Sequence, residues 1–163
     1  MRSIAAALAA GAAAMGGWHY SASQHTATYQ VTLNVGPSEA MYTQAQVKAQ
    51  HPTTGEVMVG GAMGMGNGGH AMGMEGGMTR HLEVHVHLRS TGNVAAGVVP
   101  AITLTDKTAM AMPTKLQAMA MEGIGRGMAD LHYGNNVALQ AGHHYAVAVS
   151  VKGEHATFAF VAH

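Results

Sequence analysis

From His81 to Leu88 the chain alternates without a break, with His81, Glu83, His85 and His87 on one side and Leu82, Val84, Val86 and Leu88 on the other. Period two is the signature of a β-strand, whose successive side chains point to opposite faces. The same pattern opens at Thr28, where Tyr29, Val31, Leu33 and Val35 alternate with Gln30, Thr32 and Asn34 until Gly36-Pro37 breaks it. Further strands are expected over 98–105, 108–116, part of 129–139, 144–151 and 155–161, with a short one at Glu56-Val57-Met58-Val59. Turn signals separate them at Thr91-Gly92-Asn93, Asp106-Lys107, Gly134-Asn135-Asn136, Ala141-Gly142 and Lys152-Gly153. Short strands at this spacing, with no amphipathic helix, predict an all-β chain folded as an immunoglobulin-like antiparallel β-sandwich.

At 163 residues there is room for one domain, which we place at 27–163. Charged residues are 10% of the chain, against about 25% in ordinary soluble domains, so a polyelectrolyte surface for nucleic acid has almost nothing to be built from. With 2 Phe and 1 Trp, the core must rest on Val, Leu, Ile and Ala. The start of the chain, residues 1–20, reads as a secretory signal: Arg2, then an Ala-rich apolar run from Ile4 to Met15 with small residues at Ala12 and Ala14. No stretch reaches the 18 or so apolar residues of a membrane span, so the mature protein is expected in the periplasm or secreted.

The chain has no Cys, which removes disulfides, thiolate zinc sites and thiol catalysis together. Thioether and imidazole remain for soft and borderline metals, and the chain carries 14 Met and 12 His. On a strand, residues two apart share a face about 6.6–6.8 Å apart. His81, Glu83, His85 and His87 thus form a strip of three imidazoles and a carboxylate; its plain alternative is a solvated polar face. His132, in Asp130-Leu131-His132-Tyr133-Gly134, joins that strip if its strand is a neighbour, about 4.8 Å away; alone it would be a structural histidine.

Met63-Gly-Met65, Met72-Gly-Met74, Met110-Ala-Met112 and Met119-Ala-Met121 each place two thioethers on one side of an extended segment. Met110, Met112, Met119 and Met121 also suit irregular gaps in a core. Residues 60–78 are a low-complexity Gly/Met run with no period that a packed element could use, and they read as a flexible loop holding Met63, Met65, Met72, Met74 and Met78. Imidazole, carboxylate and thioether together disfavour Mg²⁺ and Ca²⁺ and suit copper, Cu(II) on the nitrogen and oxygen donors and Cu(I) on sulfur.

The run His81-Leu82-Glu83-Val84-His85-Val86-His87, followed by His132-Tyr133-Gly134-Asn135-Asn136-Val137 and the strand Tyr145-Ala-Val-Ala-Val, resembles the periplasmic iron-transport-associated copper-binding family. The likeness covers about residues 80–152. It implies an immunoglobulin-like sandwich, often dimeric, that binds copper in support of iron uptake. By position it implies His81, Glu83 and His132 as ligands, with Met121 or Met119 as the sulfur ligand. The chain departs from the family in the extra residues Gly123 to Ala129 and in the Gly/Met run.

Three functions compete. The first is an exported carrier that buffers or hands on copper, with a membrane permease or a copper-accepting protein as partner. The second is a small copper-dependent oxidoreductase of the dismutase kind, against which stands the lack of further spaced His ligands and of an acid beyond Asp130. The third is a structural module whose His and Met are incidental. The residues favour binding over turnover, and no phosphate-cradling Gly loop is present, since the Gly-rich run lacks a Lys-Ser/Thr ending.

Overall fold

Why the alternating segments become two layers follows from where their apolar halves go. The computed structural model describes residues 17–59 and 77–163. The longest strand, β5, runs Met78–Leu88, and we number the others in chain order around it. Before it come β1 (Tyr20–His25), β2 (Tyr29–Pro37), β3 (Met41–Tyr42), the helix α1 (Gln44–Gln50) and β4 (Glu56–Met58). After it come β6 (Ala101–Asp106), β7 (Thr114–Lys115), β8 (Met119–Gly123), a 3₁₀ turn (Gly127–Asp130), β9 (His132–Leu139), β10 (His144–Val151) and β11 (Glu154–Val161).

One sheet has the order β1-β2-β5-β9-β8-β4-β3 and the other β11-β10-β6-β7. Pairing is antiparallel throughout except at the β3–β4 edge. The sheets pack face to face as an all-β sandwich. Leu82, Val84 and Val86 of β5 point between the layers with Val31, Leu33 and Val35 of β2, against Val147, Val149, Phe158 and Phe160 of the second sheet. Each fully buried Leu or Val contributes about 1.5–3 kcal/mol, which a core short of large rings needs from many positions. Trp18 caps one end, its ring 5.8 Å from Phe160 and under the Arg80 guanidinium.

Several expectations change. Residues 108–116 form a strand only at Thr114–Lys115: Met110 sits in the left-handed region at φ 51°, and Pro113 donates no ladder hydrogen bond. Met110 and Met112 are 90% and 83% exposed, so neither fills the core. Gly134-Asn135-Asn136 is not a turn but lies inside β9. Met78 opens β5 rather than belonging to a loop; the rest of the Gly/Met run, from 60 to 76, lies outside the described residues, as does the apolar run within the signal-like segment 1–20. Tyr20–His25 pairs along its full length with β2. The helix α1 also went unread because it buries nothing and so has no apolar stripe. A capping box starts it, the Gln46 N–H donating to Thr43 Oγ1 and the Thr43 N–H to Gln46 Oε1. At the far end, Lys152 and Gly153 at φ 50° and 84° close the expected β10–β11 hairpin. Among the described residues no helix is long and apolar enough to cross a membrane.

Candidate metal centre

The histidine strip lies on the outer face of the seven-stranded sheet, yet its His81 end is covered. His81 is 3% exposed and His132 is fully buried. A cleft of about 540 Å³ lies over Glu56, His81 and Glu83, walled by Glu39 and Thr53 to Gly55, by the loop 123–130 and by His19 to Ser21. In antiparallel ladders directly opposed residues share a face. The register sets Glu83 opposite Gly134 and Asn34, His81 opposite Asn136, and His132 opposite Met121, which in turn faces Met58. Gly134 is required here, because a Cβ at that position would run into the Leu82 carbonyl oxygen. The backbones of β5 and β9 therefore meet closely beside Glu83.

Each buried imidazole is held by Nδ1. His132 Nδ1 lies 2.9 Å from the Asp130 carbonyl oxygen, which only accepts, so the proton is on Nδ1 and Nε2 carries a lone pair. His81 Nδ1 lies 3.0 Å from Asn136 Oδ1. The Asn136 amide is itself oriented by Glu39, whose N–H donates to Oδ1 and whose carbonyl accepts from Nδ2. Oδ1 must then accept from His81, and His81 Nε2 is again a bare lone pair. Such outer partners fix tautomer and ring direction at metal-binding histidines generally.

His132 stands between two carboxylates. His132 Nε2 is 3.4 Å from Glu56 Oε2 and 3.6 Å from Glu83 Oε2. His81 Nε2, His132 Nε2 and Glu56 Oε2 are buried with no hydrogen-bond partner. Lone pairs facing lone pairs ask for a cation between them, whether proton or metal. Donor atoms of His81, Glu83 and His132 lie within 4.8 Å of one another, and so do those of Glu56, Asp130 and His132. Two donors on one ion at about 2.0–2.3 Å each are at most about 4.6 Å apart, so small rotamer movements close either group. The thioether of fully buried Met121 stands beside His132 on the same face.

Electrostatics divides the two carboxylates. Burial is the main cause that pushes Glu56 up to about 7, with the charges of Glu39, Glu83 and Asp130 adding to it and Arg126 opposing. Burial also works against the charge of Glu83, but hydrogen bonds from His85 and Asn34 and the neighbouring His132 outweigh it and hold Glu83 at about 2. Ser21 donates to Asn34 Oδ1 and Asn34 Nδ2 donates to Glu83 Oε1, so two neighbouring strands support that carboxylate. Burial pushes His132 below the ordinary imidazole value, and it is neutral at pH 7.

Of the residues singled out from the sequence, His81, Glu83, His132 and Met121 meet at this centre, and His85 borders it, its ring 5.1 Å from that of His132. His87 is one step further along the strip, 6.4 Å from His85. Met119 is half-buried opposite Gly134, one register step from Met121. Met63, Met65, Met72 and Met74 lie outside the described residues. Glu56 was missed: it sits on a strand of three residues in a stretch without period, and only its neighbour Gly55 marks it. Met58, Asn34 and Asn136 were missed as well, since their role comes from register alone.

Compared with protein-family models, curated proteins and solved structures, the chain matches none.

Proposed function

We propose that this is an exported copper-binding protein that buffers, carries or delivers copper as cargo, in the service of metal uptake such as that of iron. The observation that carries the reading is that the buried, unpartnered His132 Nε2 faces Glu56 Oε2 at 3.4 Å and Glu83 Oε2 at 3.6 Å, with donor atoms of His81, Glu83 and His132 within 4.8 Å of one another and the Met121 thioether beside them. A plain structural module has no reason to bear that cost, since each unsatisfied buried polar group costs about 1–3 kcal/mol. Neutral imidazole and carboxylate suit Cu(II), and the thioether suits Cu(I), so one site serves either oxidation state. His81, Glu83 and His132 would hold the ion, with Glu56 and Met121 as further ligands. The absence of Cys and the apolar start of the chain support a periplasmic or secreted setting. A permease or copper acceptor as partner, and a homodimer, accord with the resemblance to the iron-transport-associated family.

The test is copper titration, aerobic with Cu(II) and anaerobic with Cu(I) against a competing chelator. Wild type should bind one ion tightly, and His81→Ala/His132→Ala should lose it. Binding no stronger than that of an unstructured His/Met peptide would overturn the reading. The open cleft over the centre favours one alternative, a copper-dependent oxidoreductase reached by small molecules; turnover exceeding that of free copper ion would replace the carrier reading.

A further inference from the structure

Beyond the buried centre the strip continues to His87, where the chain builds a different kind of pocket. His87 Nδ1 lies 3.0 Å from the Gly92 carbonyl oxygen. A carbonyl only accepts, so Nδ1 carries the proton and Nε2 keeps its lone pair. The tautomer is thus set as it is at His81 and His132, but outside the cleft. His87 lines an open hollow of about 390 Å³ with Gly92, Asn93, Val94 and Met128. Met128 is 51% exposed, large for an apolar side chain. It rides on the 3₁₀ turn Gly127–Asp130, whose last residue pins His132 through its carbonyl. Among the described residues, no carboxylate lines this hollow.

We infer that His87 Nε2 and the Met128 thioether form a second, solvent-facing site for a monovalent soft cation, Cu(I) or its surrogate Ag(I). The chemistry selects the charge state. One neutral nitrogen and one neutral sulfur, with no anionic donor, suit a soft d¹⁰ monocation that accepts two ligands, whereas a divalent ion would lack charge compensation. Half-exposure makes the site exchangeable, in contrast to the buried centre. The two are joined by imidazoles, with ring centroids 6.4 Å apart from His87 to His85 and 5.1 Å from His85 to His132. The His87–Met128 site is the outer station of that row. Its existence does not depend on the copper reading of the buried centre, whereas its place as an outer station does.

The test uses the full chain with methionine methyl groups and imidazole nitrogens isotopically labelled, titrated with Ag(I) and followed by NMR. The Met128 methyl and His87 Nε2 signals should move together at the same Ag(I) concentration. His87→Gln should abolish the Met128 response, and Met128→Leu the His87 response. An unmoved Met128 signal, or one that moves equally in His87→Gln, overturns the site. The same titration on His81→Ala/His132→Ala should keep the coupled response. If that variant and wild type behave alike at His87 while wild type fails to bind copper tightly, the carrier reading fails and the outer site stands. Coupled signals lost in the double variant would place the cation at the buried centre and overturn the outer site.

Discussion

The Asp130 carbonyl oxygen and His132 Nδ1 are 2.9 Å apart, and this contact between residues two apart decides what the buried imidazole offers. Because Nδ1 donates there, Nε2 is turned toward the carboxylates of Glu56 and Glu83. The metal-free fold is strained by that arrangement. Glu56→Met removes the unpartnered oxygen and should stabilise the metal-free protein by about 1 kcal/mol or more, a Tm rise of roughly 2–4 °C. Copper affinity should fall at least about tenfold, the pattern of stability traded for function. Thermal melts with and without chelator check both halves; a lower Tm in the chelated variant would contradict the account.

The two carboxylates give opposite pH dependences. The folded value of Glu56, about 7, lies above its ordinary 4.5, so its contribution is complete below pH 4.5 and is lost as pH rises through 7. The folded value of Glu83, about 2, lies below 4.5, so its contribution is present above 4.5 and is lost as pH falls toward 2. From these two groups alone the maximum lies near pH 4.5; His132, whose folded value lies below its ordinary 6.5, adds a contribution present above 6.5 and lost as pH falls, so the metal-free protein should be most stable between pH 4.5 and 7. On the proposed reading copper would displace the proton on Glu56, so affinity should rise from pH 5 to pH 7. Melts from pH 3 to 8 on wild type and Glu56→Gln decide it: the decline above the maximum should vanish in the variant.

Gly134→Ala places a Cβ against the Leu82 carbonyl oxygen and within 3.0 Å of Glu83 Cα. Both are backbone atoms in the central strand pair and cannot swing aside. The substitution should destabilise by at least about 2 kcal/mol and weaken copper binding with it, since it wedges β5 from β9 beside the ligands. Denaturant unfolding gives the first number and titration the second.

The methionines should separate by role. Met121→Leu, nearly volume-conserving, should cost less than about 1.5 kcal/mol of stability yet lower Cu(I) affinity about tenfold or more. Under dilute peroxide, Met110 and Met112, 90% and 83% exposed, should be oxidised before Met121, fully buried. Peptide mass spectrometry over time gives the order.

The histidine strip was legible because β5 is long and its two halves differ sharply in polarity. His132 was legible as a residue but not as a place: Gly134-Asn135-Asn136 reads as a turn, although Gly134 serves a close backbone approach and Asn136 orients His81. The sandwich followed from strand spacing, while the strand order did not, because register arises from tertiary packing. Glu56 was legible as the start of a short strand but not as part of the site. Three residues hold no period, and its importance comes from β4 lying beside β8, which lies beside β9. The thioethers divided on burial, a property that the identical Met-Ala-Met sequence at 110–112 and 119–121 does not reveal.

The ligands rest on parts of the fold that open at very different cost. His81, Glu83 and His132 stand on β5 and β9, inside the wide sheet and backed by Leu82, Val84 and Tyr133. Glu56 stands on three-residue β4, whose outer neighbour β3 has only two residues. Freeing β4 breaks a few edge hydrogen bonds, whereas freeing β5 requires global unfolding. Amide exchange should therefore be fast at Val57 and slow at Val84. On the proposed carrier reading, holding the cargo and letting it go are thus separable acts: a local fluctuation would withdraw one acidic arm while the rest of the grip stays folded.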